Sequence, residues 1–245
     1  MNYDLYTFGS PGADTLLLQM VDDHDLDLME QEVAHIRRLT GENNFCLKAL
    51  KVKNWFDDLS PWKAPPVFGN EPFGDGAERM LAYLLGEVLS AETGKKAFVP
   101  AGAEMAAGAG KEAPVSAGAW GAESPRIFIG GYSLAGLFAL WAGYQTDRFD
   151  GVAAASPSVW FPHFTGYMRE HTLHAEAVYL SLGDREERTG NPVMAKVGDA
   201  IRESAEILDA AGTDCVLEWN QGNHFKEPDL RTAKAFAWLM RRRRG

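Results

Sequence analysis

The sequence predicts an α/β fold, a mostly parallel central sheet with helices on both faces, and three observations predict it. Short apolar runs alternate with longer segments whose apolar residues recur every three or four positions. The alternation continues as one series from about residue 15 to the C-terminus, as a parallel sheet with crossover helices requires. The 245 residues are 46% hydrophobic and 24% charged, which fits one sizeable domain with a buried core.

In chain order, residues 15–21 (Thr-Leu-Leu-Leu-Gln-Met-Val) read as a buried strand and residues 22–25 as a polar loop. Leu28, Val33, Ile36 and Leu39 then fall at helical spacing, and residues 45–52 form a second strand. The stretch 54–76, rich in Pro, Gly and aromatics, is too long for a simple connector and reads as an ordered, binding-type loop. Ala77, Leu81, Leu84, Leu85 and Val88 mark one face of a helix over 77–89. Residues 101–121 are Ala/Gly-rich and read as a flexible surface insertion within a single domain, 1–245. Ile127, Phe128 and Ile129 form a strand, and Leu137, Leu140 and Trp141 the helix after it. Residues 151–156 are a further strand and 161–175 an irregular stretch with His163, His171 and His174. A strand over 177–182, a helix over 193–211, a strand over 215–219 and a helix over 229–241 complete the series.

Charge and composition exclude several function classes. A formal net charge of −10 argues against nucleic acid as a partner. No apolar stretch is long enough to span a bilayer, and the start has no basic region followed by an apolar run, so neither a membrane span nor a secretory leader is expected. Cys46 and Cys215 sit in separate strand-like runs without metal-ligand spacing, which reads as buried free thiols in a reducing cytoplasm. No metal or cofactor is implied. The four arginines at 241–244 read as cations at a helix C-terminus. Nothing in the sequence specifies an oligomeric state.

The chemistry concentrates at Gly131-Tyr132-Ser133-Leu134-Ala135. A serine between an apolar strand and an apolar helix sits on a sharp turn that presents its hydroxyl, with the N–H of the next residue, Leu134, aimed at whatever the hydroxyl attacks. Residues two before and two after the serine must be small, and Gly131 and Ala135 are. A serine needs a base and a group to orient that base. The chain supplies both, each after a later strand: the acids Asp184, Glu186 and Glu187, then His224 after the last strand. Nucleophile, acid and histidine in that order are the order of the α/β-hydrolases.

With these residues, the chain resembles the esterase family of α/β-hydrolases that includes enterochelin-esterase-like and esterase-D-like enzymes and the antigen 85 mycolyltransferases. Residues 149–160, ending in Ser156-Pro157-Ser158-Val159-Trp160, are similar to that family's strand with a Ser-Pro-Ser-aromatic ending. Asp58-Leu59-Ser60-Pro61 followed by Gly74-Asp75-Gly76-Ala77-Glu78 resembles its long loop into a Gly-rich helix start. The likeness runs from about residue 15 to 240 and is weakest over 95–122.

The resemblance implies a serine hydrolase that cleaves carboxylic esters of small molecules through an acyl-enzyme, with Ser133, His224 and Glu186 as catalytic residues. Glu186 stands three residues after the strand-ending Gly183, the family's usual register; Asp184 is the next candidate. The resemblance also places a second oxyanion donor after the first strand, at the His24 N–H, with the Asp23 N–H as the alternative. Asp23 departs from the glycine common in the family there. Trp55, Trp62, Tyr132 and Trp160 are candidates to line the substrate pocket. The same site serves a thioesterase or an acyltransferase, and a catalytically silent α/β-hydrolase used as a binding module is the alternative from a different class.

Overall fold

A computed structural model of the chain describes residues 3–67, 69–93 and 125–242. The expected Ala/Gly insertion at 101–121 lies outside the described residues.

Seven strands form one sheet: β1 Asp4–Gly9, β2 Thr15–Val21, β3 Cys46–Lys51, β4 Arg126–Tyr132, β5 Gly151–Ala155, β6 Ala177–Gly183 and β7 Asp214–Asn220. Their spatial order is β1-β3-β2-β4-β5-β6-β7. Every neighbouring pair is parallel except β1 with β3. The fully buried β2, β5 and β6 are near-continuous apolar runs, as strands covered on both faces should be. β1 escapes a hydropathy reading because it is a mostly exposed edge strand, with Asp4 opposite Lys51 on β3.

The helices are α1 Asp23–Thr40, α2 Trp55–Asp58, α3 Ala77–Tyr83, α4 Ser90–Thr93, α5 Leu134–Gln145, α6 Phe164–Glu170, α7 Val197–Ala210 and α8 Pro228–Met240. α3 runs through a wide π-helical stretch, Leu84–Leu89, into α4. Two further regions differ from the sequence reading. Residues 22–25 are not a loop: Asp22 caps α1 at once, its carboxylate accepting from the Asp25 N–H while the Asp25 carboxylate accepts from the Asp22 N–H. The stretch 161–175 is not wholly irregular, because α6 forms there and buries Phe164 and Met168.

The sheet has a core on each face. α1 and α8 bring Met29, Val33, Ile36, Phe236 and Leu239 against one. α3, α5, α6 and α7 bring Met80, Leu137, Leu140, Met168 and Ile201 against the other. Each fully buried side chain of this size contributes roughly 1.5–3 kcal/mol, so this frame can hold a strained residue at a strand end. The chain passes from β2 outward to β3 and returns to β4 on the other side of β2. The loops after β2 and β4 therefore part at a topological switch point, where α/β sheets place their ligands.

Candidate active site

Ser133 follows β4 and opens α5 with φ 58° and ψ −120°, a backbone conformation that disfavours any side chain. The turn closes so tightly that a Cβ added to Gly131 would stand 2.7 Å from the Cβ of Ala135. With alanine at 135, only glycine fits at 131. This fixes the hydroxyl at the carboxyl end of β4, where the Ser133 backbone N–H donates to Ala155 O of the neighbouring strand.

The partners come from the ends of the next strands in the sheet. His224, in the loop after β7, places Nε2 3.0 Å from Ser133 Oγ. Its Nδ1 lies 2.6 Å from Glu186 Oε2, in the short 3₁₀ turn after β6. The other Glu186 oxygen, Oε1, accepts from the Gly183 N–H at 2.7 Å, the Ser156 hydroxyl at 2.8 Å and Arg231 Nη1 at 2.8 Å. One carboxylate oxygen is saturated and the other is left for the imidazole. Burial raises the Glu186 carboxyl pKa, but the hydrogen bond and charge of His224, with the Gly183 N–H and the Ser156 hydroxyl, more than offset it and leave the group below its usual range.

Of the three acids after β6, only Glu186 meets His224. Asp184 accepts from the Gly222 N–H at 2.8 Å, and Glu187 pairs with Arg202 at 3.0 Å on the surface. Gly183 makes the convergence possible, since a Cβ there would lie 2.4 Å from Gly222 O and 2.9 Å from Glu186 Oε1.

Sequence reasoning missed Arg231, on α8 and 2% exposed. Besides Glu186 it donates to Tyr132 Oη at 3.0 Å and Ser156 Oγ at 3.1 Å. Its Nη2 donates to the carbonyls of Gln221 at 3.3 Å and Asn223 at 2.9 Å, in the His224 loop. Tyr132 in turn donates to the carbonyl of His224 at 2.7 Å. Burial and the Glu186 charge push its phenol up to about 12, so it remains a donor. The only sequence signal was a positive charge on the apolar side of a predicted helix. The Ser-Pro-Ser segment also acts here: Ser156 bonds Glu186, and the Ser158 hydroxyl lies 3.4 Å from Ser133 Oγ.

Ser133, Leu134, Glu186 and His224 open onto a cavity of about 730 Å³, within the usual size range of small-molecule sites. Trp55 and Phe56 of α2, Phe73, Trp160, Met194 and Val197 give it an apolar wall. Two of the four expected lining residues lie elsewhere. Trp62 points away, donating from Nε1 to Pro162 O at 2.9 Å and packing against Phe161 and Tyr167, so it fastens the 54–76 stretch to α6. Tyr132 lies behind His224, its ring centroid 5.1 Å from the imidazole.

Leu134 lines the cavity, but His24 does not. The Asp22 cap starts α1 directly after β2, which puts His24 in an exposed first turn and ties Asp23 to Lys51 at 2.5 Å. Of the two cysteines, Cys46 is buried and Cys215 is partly exposed. Among the described residues no group of three or more His, Cys, Asp or Glu side chains is gathered to hold a metal ion, and no helix is long and apolar enough to cross a membrane.

This sheet order and site placement are those of the α/β-hydrolase fold. The chain is similar in structure to the siderophore hydrolase EstA of Aspergillus nidulans, at TM-score 0.64 and 19% identity over 97% of this chain and 89% of that one. It is similar to an IroE-like serine hydrolase of Shewanella oneidensis at TM-score 0.65 and 13% identity, over 97% of this chain and 80% of that one. Est1E of Butyrivibrio proteoclasticus, solved with ferulic acid bound, is similar at TM-score 0.54 and 12% identity, over 97% and 94%. No family model and no curated protein sequence matches the chain.

Proposed function

We propose that this protein is a serine hydrolase that cleaves carboxylic esters of small molecules through an acyl-enzyme on Ser133. The observation that carries the reading is the relay from Ser133 Oγ, on a strained turn that faces an apolar cavity, through His224 to Glu186, at 3.0 and 2.6 Å. A surface serine beside a histidine needs neither the strain nor the buried acid. The strain is on the order of 1–3 kcal/mol and is retained where the hydroxyl must stand clear of the sheet. The printed names of two of the similar structures, a siderophore hydrolase and a serine hydrolase, agree with this reading.

In the first half of the reaction Ser133 Oγ attacks the acyl carbon while His224 Nε2 takes its proton. The N–H of Leu134 donates to the oxyanion that forms. His224, now a cation facing the Glu186 carboxylate, passes the proton to the departing alcohol, and the ester C–O bond breaks. In the second half a water attacks the acyl-enzyme with the same histidine as base, releasing the acid and restoring Ser133. Glu186 holds the imidazole with Nδ1 protonated and stabilises its cation. Arg231 positions Glu186 and the His224 loop together. Two unpaired thiols support a reducing, cytoplasmic location.

The test is hydrolysis of a short 4-nitrophenyl ester by wild type, Ser133→Ala and His224→Ala. Each variant should lose about three orders of magnitude or more in kcat, because members of a triad act as a unit. Near-wild-type turnover in either variant overturns the reading.

A further inference from the structure

The loop that carries Glu186 holds a second pattern. Arg185 and Arg188 flank it, and both line the cavity beside Ser133 and His224. Neither guanidinium has an ion-pair or side-chain hydrogen-bond partner among the described residues. The nearby acids are all engaged elsewhere: Glu186 by His224 and Arg231, Glu187 by Arg202, and Asp184 by the Gly222 N–H. Glu186 is the only carboxylate among the described residues lining the cavity. In a chain with ten excess negative charges, the wall around the nucleophile thus carries two uncommitted positive ones. The rest of that wall is aromatic and aliphatic, and Phe225, next to His224, stands 86% exposed at its edge.

We infer that the cavity selects esters with an apolar body that also carry an anionic oxygen group, bound by Arg185 and Arg188. This rests on the ester-hydrolase reading above and adds the substrate class. A guanidinium matches a carboxylate with two parallel hydrogen bonds and keeps its charge at any working pH. Two of them without internal partners give a charged substrate an attraction that a neutral one of the same shape lacks. An aromatic face such as Phe225 offers the body of the substrate a stacking surface.

The experiment uses the full chain and two series of paired probes. In one, mono-4-nitrophenyl esters of dicarboxylic acids are compared with the same esters capped as the terminal carboxamide. In the other, 4-acetoxybenzoate is compared with 4-acetoxybenzamide. The first series puts the charge on the acyl side, the second on the leaving side. In at least one series the charged ester should show about tenfold higher kcat/KM or more at low ionic strength, with the preference shrinking as salt screens it. In Arg185→Gln/Arg188→Gln, checked for folding by its melt, the charged-over-neutral ratio should fall close to one. Equal turnover of charged and neutral esters in both series, or a ratio unmoved in the double variant, overturns the anion reading and leaves ester hydrolysis standing. No turnover in either series, with no labelling of the folded protein by a fluorophosphonate, overturns ester hydrolysis and the anion reading with it.

Discussion

Arg231 Nη1 lies 2.8 Å from Glu186 Oε1, and the two side chains are 2% and 4% exposed. A charge pair so deeply buried is stabilising only when its remaining hydrogen-bond sites are filled. They are filled here by Gly183, Ser156, Tyr132 and two carbonyls of the His224 loop. The pair therefore links the end of β6 to the loop after β7 through one side chain of α8.

Removing the cation should do two things at once. Arg231→Gln leaves a buried carboxylate without its partner, a loss of about 3–5 kcal/mol, seen as a lower melting temperature. It also removes a positive charge from the vicinity of the His224–Glu186 pair. The imidazolium is then easier to form, so the acid limb of the kcat/KM profile should move to higher pH. Arg231→Lys should recover part of the shift by keeping the charge. A lower melt with an unmoved acid limb would leave Arg231 with a purely structural role.

Glu186→Gln should reduce kcat far more than Asp184→Asn or Glu187→Gln. The amide can keep a contact to Nδ1 but cannot balance the imidazolium. Asp184 only caps the Gly222 N–H, and Glu187 only holds Arg202 at the surface. Steady-state rates of the three variants on one ester decide it; a crippled Asp184→Asn beside a near-normal Glu186→Gln would remove Glu186 from the mechanism.

Much of this site was legible in the sequence because its constraints are local. Gly131 and Ala135 announce a turn too tight for larger residues, and His224 follows directly on a strand. Glu186 needed the family register, since Asp184 and Glu187 satisfy the same strand-then-acid pattern. Arg231 was hidden because Glu186 and Tyr132 lie 45 and 99 residues away, and its place on the apolar side of a helix does not by itself name those partners. Trp62 and Trp55 look alike in sequence, but the first packs on α6 and the second on the cavity. His24 was misplaced because an Asp-x-x-Asp capping box was read as a loop.

Ser133→Gly and Ser133→Ala should both be inactive but differ in stability. Both lose the hydrogen bond to His224, so the difference isolates the Cβ at φ 58°. Relief of about 1–3 kcal/mol of strain is opposed by about 0.5–1 kcal/mol of extra glycine entropy in the unfolded chain. The glycine variant should melt higher by about 2–4 °C per kcal/mol of net gain. An alanine variant that melts as high or higher would show that the turn is not strained.

Glu32 makes a separate prediction about pH and stability. It is buried on α1, accepts from Gln19 Nε2 at 3.2 Å, and has its carboxyl raised well above the usual range, chiefly by burial. Among the described residues Gln19 Oε1 and Glu32 Oε1 are both buried without a partner. A protonated Glu32 carries an O–H donor where the ionised group offers only acceptors. The folded state then holds a proton that the unfolded chain releases above about pH 4.3, so this group's contribution declines as pH rises toward its folded pKa. Glu32→Gln does not titrate, and its stability relative to wild type should improve in urea melts as pH rises above the unfolded value of about 4.3, until Glu32 ionises in the fold. Parallel stability curves would mean that Glu32 is already ionised in the fold.

The central claim is that Ser133 carries the covalent intermediate, and intact-protein mass after reaction with a fluorophosphonate tests it most directly. Wild type should gain the mass of one phosphonyl group, mapped by peptide sequencing to Ser133, and Ser133→Ala should gain none while keeping its melt. A folded wild-type protein that gains no mass, or an adduct that maps to another residue and persists in Ser133→Ala, would contradict the account.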